Sequence, residues 1–276
     1  MRLLERQTGG EIRLTDDLLP ENLPPYAILS HTWGDDSEEV SYADLVAGLK
    51  RHKAGYQKIQ FCVQQAAKDG LRYSWVDTCC IDKSSSSELS EAINSMFSWY
   101  KNAAKCYVFL SDVSMNGHDS TPPEWELDFR SSRWFTRGWT LQELLAPTSV
   151  EFFSKDCEWL GNKKSLEGQI NEVTGISVSA LQGRLPLSEF SVGVRMSWAA
   201  KRDTKRKEDK AYSLFGIFGV SMPLVYGEGG DKAFRRLREE ILKAVQGQSL
   251  ALFPDSFWIG ISSRTLSMYL LIMYGL

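Results

Sequence analysis

YAILSHTWGDD, residues 26–36, is the stretch on which the fold turns. Residues 26–30 form a short, continuous apolar run, and a polar loop carrying His31, Trp33 and Gly34 follows it. A run without alternation between apolar and polar residues reads as a strand covered on both faces. RYSWVD at 72–77 and CYVFL at 106–110 repeat the pattern, and VEFF at 150–153 adds another strand. Segments of helical period lie between them. Tyr56–Lys68 places Ile59, Cys62, Val63, Ala66 and Ala67 on one face and ends at Gly70. Ser85 and Glu88 have capping-box spacing ahead of a helix with Leu89, Ile93, Met96, Phe97 and Tyr100 on one side. Residues 40–49 read as a short helix, and 78–83 and 114–126 as loops. Apolar strands alternating with amphipathic helices predict an open α/β fold whose mostly parallel sheet is flanked by helices.

The flanks differ from this core. Residues 1–25 read as an N-terminal arm with one short strand at 11–14 and a proline-rich entry, Pro20, Pro24 and Pro25. After residue 156 the pattern turns helical, at 164–173, 188–201, 208–218 and 231–245. The expected division is an arm at 1–25, an α/β core at 26–156, a helical extension packed on it at 157–246, and a poorly specified apolar tail at 247–276. The tail's apolar run is about 12 residues, short of the roughly 20 that span a bilayer, so stable membrane insertion is not expected. The N-terminus has no apolar signal core.

Composition narrows the class further. The chain is 43% hydrophobic and 24% charged with a formal net charge of -3, which offers no bulk basic surface for nucleic acid. Five cysteines at 62, 79, 80, 106 and 157 have no framework spacing and read as reduced thiols of a cytoplasmic protein. Cys79 and Cys80 are adjacent, and no second Cys or His pair completes a metal site.

In open α/β folds ligands collect beyond the carboxyl ends of the strands. Ser30, His31, Trp33, Asp77, Asp82 and Asp112 all lie at or just after such ends. His31 is of a type that titrates near neutral pH. The segment SSRWFTRGWTLQELLAP, 131–147, ends as a helix and sets Glu143 beside Leu141, Leu144 and Leu145. A carboxylate at the edge of an apolar face is exposed, tied to an arginine, or used. Arg137 lies six positions before Glu143, so the two do not share a helical face. Cys80 is a candidate nucleophile with His31 as its base, should the two strand ends adjoin. KRDTKRKEDK, 201–210, mixes charges and reads as a solvated face. GEGG, 227–230, lacks the spacing of a nucleotide motif and reads as a helix cap.

YAILSHTWG, RYSWVDTCCID, SSRWFTRGWTLQELLAP and the segment 198–241 together resemble the fungal heterokaryon incompatibility (HET) domain, in order over about residues 26–243. The resemblance implies a role in nonself recognition and programmed cell death. It also implies self-association and a nucleotide-binding, WD-repeat region as regulatory partner. HET domains are in turn similar to TIR domains, which implies a flavodoxin/TIR-like sheet. The match of 131–144 to the TIR S-R-W-C-x-x-E-L segment carries the glutamate of NAD-cleaving TIR domains onto Glu143. NAD would then be a substrate, with no cofactor. Glu143 would be catalytic, and Ser30, His31, Trp33, Asp77, Asp82, Arg137 and Trp139 would line the substrate site. Trp33 or Trp139 would stack on a ring and Arg137 would meet the pyrophosphate. The alternative is a non-enzymatic adaptor that works by homotypic assembly.

Overall fold

The computed structural model of the chain describes residues 1–48, 52–115 and 124–245. Its strands β1 (Leu4–Arg6), β2 (Ile12–Leu14), β3 (Tyr26–His31), β4 (Tyr73–Trp75), β5 (Lys105–Leu110), β6 (Val150–Ser154) and β7 (Trp159–Asn162) form one sheet. The order across it is β2-β1-β4-β3-β5-β6-β7. The four central strands, β4, β3, β5 and β6, are parallel, and β1, β2 and β7 add antiparallel edges. From β3 the chain moves first to β4 on one side, then crosses back to β5 on the other. The reversal leaves a crevice beyond the carboxyl ends of β3 and β5.

The helices are α1 (Tyr42–Val46), α2 (Tyr56–Lys68), α3 (Asp77–Cys80), α4 (Ser86–Asn102), α5 (Glu124–Ser131), α6 (Thr140–Leu145), α7 (Glu167–Thr174), α8 (Val178–Leu181), α9 (Val192–Ser197), α10 (Asp209–Tyr212), α11 (Phe215–Phe218) and α12 (Gly230–Val245). Side chains alternate between the faces of a strand, so register assigns each face. Leu29 and His31 pair with Tyr107 and Phe109, and Phe61 of α2 meets Tyr107, Phe109 and Phe153 at 6.4, 5.3 and 5.0 Å between ring centroids. Ile28 and Ser30 take the other face with Cys106 and Val108. There Phe152 meets Phe129 of α5 and Trp134 at 5.3 and 5.7 Å. Trp75 packs edge-on against Trp99 and Tyr100 of α4.

Several sequence expectations change. Residues 1–25 contribute two strands, because β1 and β2 pair as a hairpin that then adds to β4. Strand β7 falls inside the stretch read as helical. At four residues it is too short to show alternation, and it is fixed by its pairing to β6. Asp77–Cys80 is a helical turn, closed by the Cys80 amide donating to Val76 O at 2.9 Å, where a loop was expected. Residues 124–126, read as loop, open α5. The helices expected at 188–201 and 208–218 break into the shorter α9, α10 and α11. The tail at 247–276 lies outside the described residues.

Residues 198–209 form a strap across the start of α6. Asp203 N donates to Thr136 O at 2.7 Å, and Gly138 N donates to Asp203 O at 2.9 Å. A Cβ on Gly138 would sit 2.4 Å from Thr204 Cγ2, so this approach needs glycine.

Candidate functional site

Glu143 stands one helical turn into α6 and is 7% exposed. Three devices aim that short helix. Asp112, just beyond β5, accepts from Ser132 Oγ and Arg133 N, each at 2.8 Å. Ser132 in turn caps the 3-10 turn Arg133–Thr136 by accepting from Trp134 N. At the far end Lys163, buried, donates to Leu144 O at 3.2 Å and Pro147 O at 2.6 Å. Its ammonium replaces the amides that a continuing helix would have supplied.

The result is a buried relay at the carboxyl end of β3. Trp134 Nε1 donates to Ser30 Oγ at 2.8 Å, and Ser30 Oγ donates to Glu143 Oε2 in a short bond. The Tyr100 hydroxyl also reaches the Glu143 carboxyl. Burial pushes Glu143 up to about 8. The Ser30 and Tyr100 hydrogen bonds and the Arg202 charge pull it down, and the Asp77 charge pushes it up.

A second cluster sits over that strand end. His31 Nε2 donates to Asp77 Oδ1 at 3.0 Å, and Trp33 Nε1 donates to Asp77 Oδ2 at 2.9 Å. His31 Nδ1 is buried with no partner among the described residues. Lys83 Nζ lies 3.8 Å from Asp77 Oδ2 and 3.8 Å from the centre of the Trp33 ring. Burial pushes Asp77 up, but Lys83, His31 and Trp33 outweigh it and hold the carboxyl below its usual range. One site therefore carries an ionised carboxylate beside one kept neutral at pH 7, an acid–base division set by environment. Trp33 is the open part, 37% exposed. Below the loop, Glu39 accepts from Gly34 N at 2.7 Å and pairs with Lys58, which also donates to Thr32 O at 3.2 Å.

Ser30, His31, Trp33 and Asp77 thus meet at one edge, as their placement at strand ends suggested, and Glu143 reaches them from α6. Asp82 does not join them: its Oδ1 accepts from Ser84 N and Oγ, closing its own turn. Arg137 and Trp139 make their contacts with the strap. Arg137 bridges Asp203 through its backbone, and the Trp139 indole bonds Asp209. Neither arginine of 131–147 ion-pairs Glu143, since Arg133 reaches Asp112 at 3.7 Å. Cys80 is buried and its Sγ accepts from Val76 N at 3.4 Å, while His31 spends Nε2 on Asp77, so the thiol–imidazole pair does not form.

The mixed-charge run is not the solvated face its composition suggested. Arg202, Glu208 and Asp209 are buried. Glu208 Oε1 accepts from Gly227 N at 2.9 Å and Gly229 N at 3.0 Å, both glycines having positive φ. A carboxylate of the chain itself fills the backbone concavity, and α12 starts from it at Gly230. Reading by residue type missed Glu39, Lys58, Lys83, Lys163 and Arg202. The signal for Arg202 was its place after Trp198-Ala199-Ala200, an apolar turn that draws it inward. Among the described residues no group of three or more His, Cys, Asp or Glu could hold a metal, and no helix is long and apolar enough to cross a membrane.

Residues 26–125 match the family profile "Heterokaryon incompatibility protein (HET)". The chain carries a HET domain. It is similar to "Vegetative incompatibility protein HET-E-1" of Podospora anserina, 61% identical over 244 residues, which is 88% of this chain and 18% of that protein. The chain therefore spans about a fifth of the length of the curated relative it matches. No solved structure matches it. The HET profile covers β3, β4 and β5, and with them Ser30, His31, Trp33 and Asp77. Glu143 and Arg202 lie beyond the profile but inside the longer match, which at 88% of the chain includes both wherever it begins.

The neutral form of Glu143 has a measurable consequence in this HET domain. In the unfolded chain the carboxyl titrates near 4.5, and in the folded protein near 8. The folded state therefore holds a proton that the unfolded state releases. Stability is full below about 4.5 and falls as pH rises toward 8. Glu143→Gln removes that loss. Unfolding free energies from urea titrations are expected to fall between about pH 5 and pH 7.5 for the wild type relative to the variant, by at most about 1.4 kcal/mol per pH unit.

Proposed function

We propose that this HET domain acts in vegetative incompatibility as a TIR-like effector that hydrolyses NAD, with Glu143 as the catalytic carboxylate. The observation that carries the reading is the Ser30–Glu143 hydrogen bond, which sets the motif glutamate at the carboxyl end of β3. That end borders the reversal of strand order, where open α/β sheets bind ligands. The parallel strands follow the order second, first, third, fourth, which is the flavodoxin-like order and supports the TIR-like assignment.

The chemistry suits a single carboxylate. The ribose–nicotinamide bond breaks with its electron pair going to a cationic ring nitrogen, so nicotinamide leaves neutral and needs no general acid. Water then bonds the ribose carbon and releases a proton to solvent. Ionised Glu143 stabilises the oxocarbenium-like transition state, and Ser30 fixes one of its oxygens. Approach of the cationic nicotinamide favours that ionised form. The half-open Trp33 ring supplies a stacking surface for one of the rings of NAD.

We place the domain in the cytoplasm, where its five free cysteines stay reduced. Self-association, under a nucleotide-binding WD-repeat partner, would switch it on to kill the cell. One feature favours the adaptor alternative. Trp159 is 53% exposed on β7, an edge strand of an open sheet, and such edges pair with other chains. Purified protein, concentrated until it self-associates, is expected to convert NAD into equal amounts of nicotinamide and ADP-ribose. NAD left intact by the associated protein would favour assembly without catalysis.

A further inference from the structure

The proposed role of Glu143 leaves a buried charge beside it without a task. Arg202, on the strap, is 6% exposed. Its Nε donates to Trp198 O at 3.2 Å, and its Nη1 donates to Arg137 O at 2.9 Å and Thr140 Oγ1 at 2.7 Å. Its Nη2 is buried with no hydrogen-bond partner, and no carboxylate lies within ion-pair distance of it, among the described residues. A guanidinium held in the interior without a counter-ion is costly. Burial pushes Arg202 down to about 9, and the Glu143 charge keeps it from falling further.

The position of that charge is specific. Thr140, which Arg202 grips, opens α6, and Glu143 follows three positions later on the same face of the helix. Arg202 thus grips the turn that carries Glu143 and holds a positive charge near enough to act on its carboxyl. The other groups acting on Glu143 do not replace it. Ser30 from β3 is a neutral donor, Tyr100 from α4 is a neutral hydroxyl that donates its proton to Leu29 O at 2.9 Å, and Asp77 from α3 repels. Cys106 from β5 is a buried thiol whose Sγ donates to Glu143 O at 3.8 Å. Lys163 is spent on the carbonyls at the other end of α6.

We infer that Arg202 is a positioning residue for Glu143: it clamps the first turn of α6 and supplies the fixed positive charge that allows the carboxyl to ionise when the site works. The inference rests on Glu143 being the working carboxylate. It also assigns a task to the strap, which lies beyond the family-profile match at 26–125.

The test reads Glu143 directly. Infrared difference titration of the full chain follows the protonated carboxyl band that Glu143→Gln lacks, with no NAD present. Arg202→Gln keeps a donor and drops the charge, and it is expected to raise the Glu143 midpoint by about one pH unit or more. Arg202→Lys keeps the charge and is expected to leave the midpoint within about half a unit. The pH at which NAD cleavage sets in should move with the midpoint. Should Arg202→Gln not fold, Thr140→Val loosens the clamp with the charge in place and is expected to move the midpoint in the same direction by less. A folded Arg202→Gln protein, or failing that Thr140→Val, with an unmoved midpoint overturns the inference. The two readings fail separately: a moved midpoint without NAD cleavage sinks only the proposed function, and cleavage with an unmoved midpoint sinks only the role of Arg202.

Discussion

Glu143→Gln is expected to lower NAD turnover by about 10²–10³-fold or more while the protein stays folded. The amide matches the carboxyl in shape, and its carbonyl oxygen still accepts from Ser30 Oγ, so the relay from Trp134 through Ser30 survives. What disappears is the negative charge that would form as the carboxyl ionises. That charge acts mainly where positive charge builds on the ribose, so kcat should fall with KM little changed. Stability should move the other way. At pH 7 the wild-type carboxyl is already neutral and buried, and a residue that never ionises removes a cost. Lost turnover together with equal or higher stability separates a catalytic group from a structural one. Nicotinamide release and urea midpoints measured on the same preparations provide the check.

Trp134→Ala is expected to be the most damaging substitution for the fold, at about 3–5 kcal/mol. The indole is fully buried between the sheet and the helices that cover it. It meets Phe135 and Phe152 edge-on at 5.1 and 5.7 Å, and its Nε1 is the donor that orients Ser30. Truncation opens a cavity beneath β6 and leaves Ser30 Oγ without that donor. Trp134→Phe keeps most of the volume and removes the N–H, so it should cost only about 1–3 kcal/mol. Thermal unfolding would show the difference, with Tm falling by about 10 °C for alanine.

The sequence carried the central fold in its burial pattern. Strands covered on both faces leave no polar alternation, so YAILS, RYSW, CYVFL and VEFF were readable without partners. Because a parallel sheet gathers its carboxyl ends along one edge, Ser30, His31 and Asp77 could be placed together from position alone. The edges were harder. The short strand read at 11–14 is β2, but β1 and β7, three and four residues long, owe their conformation to a neighbour's ladder, which no local window contains. Arg202 was hidden for a related reason. The residues on either side of it, Lys201 and Asp203, are exposed, and only the docking of Asp203 between Thr136 and Gly138 turns the arginine under α6. Glu39, just before the helix read at 40–49, carried no local signal either. Its value lies in the contact with Lys58, 19 positions away, and with the Gly34 amide.

The most direct test of the central claim is made in cells. NAD content and viability are followed after expression of the chain, wild type or Glu143→Gln, at matched protein levels in a fungal host. The account predicts that NAD collapses before death in the wild type and that the variant causes neither. Death at wild-type rates from the variant, with NAD intact, would contradict it and leave assembly alone as the lethal function.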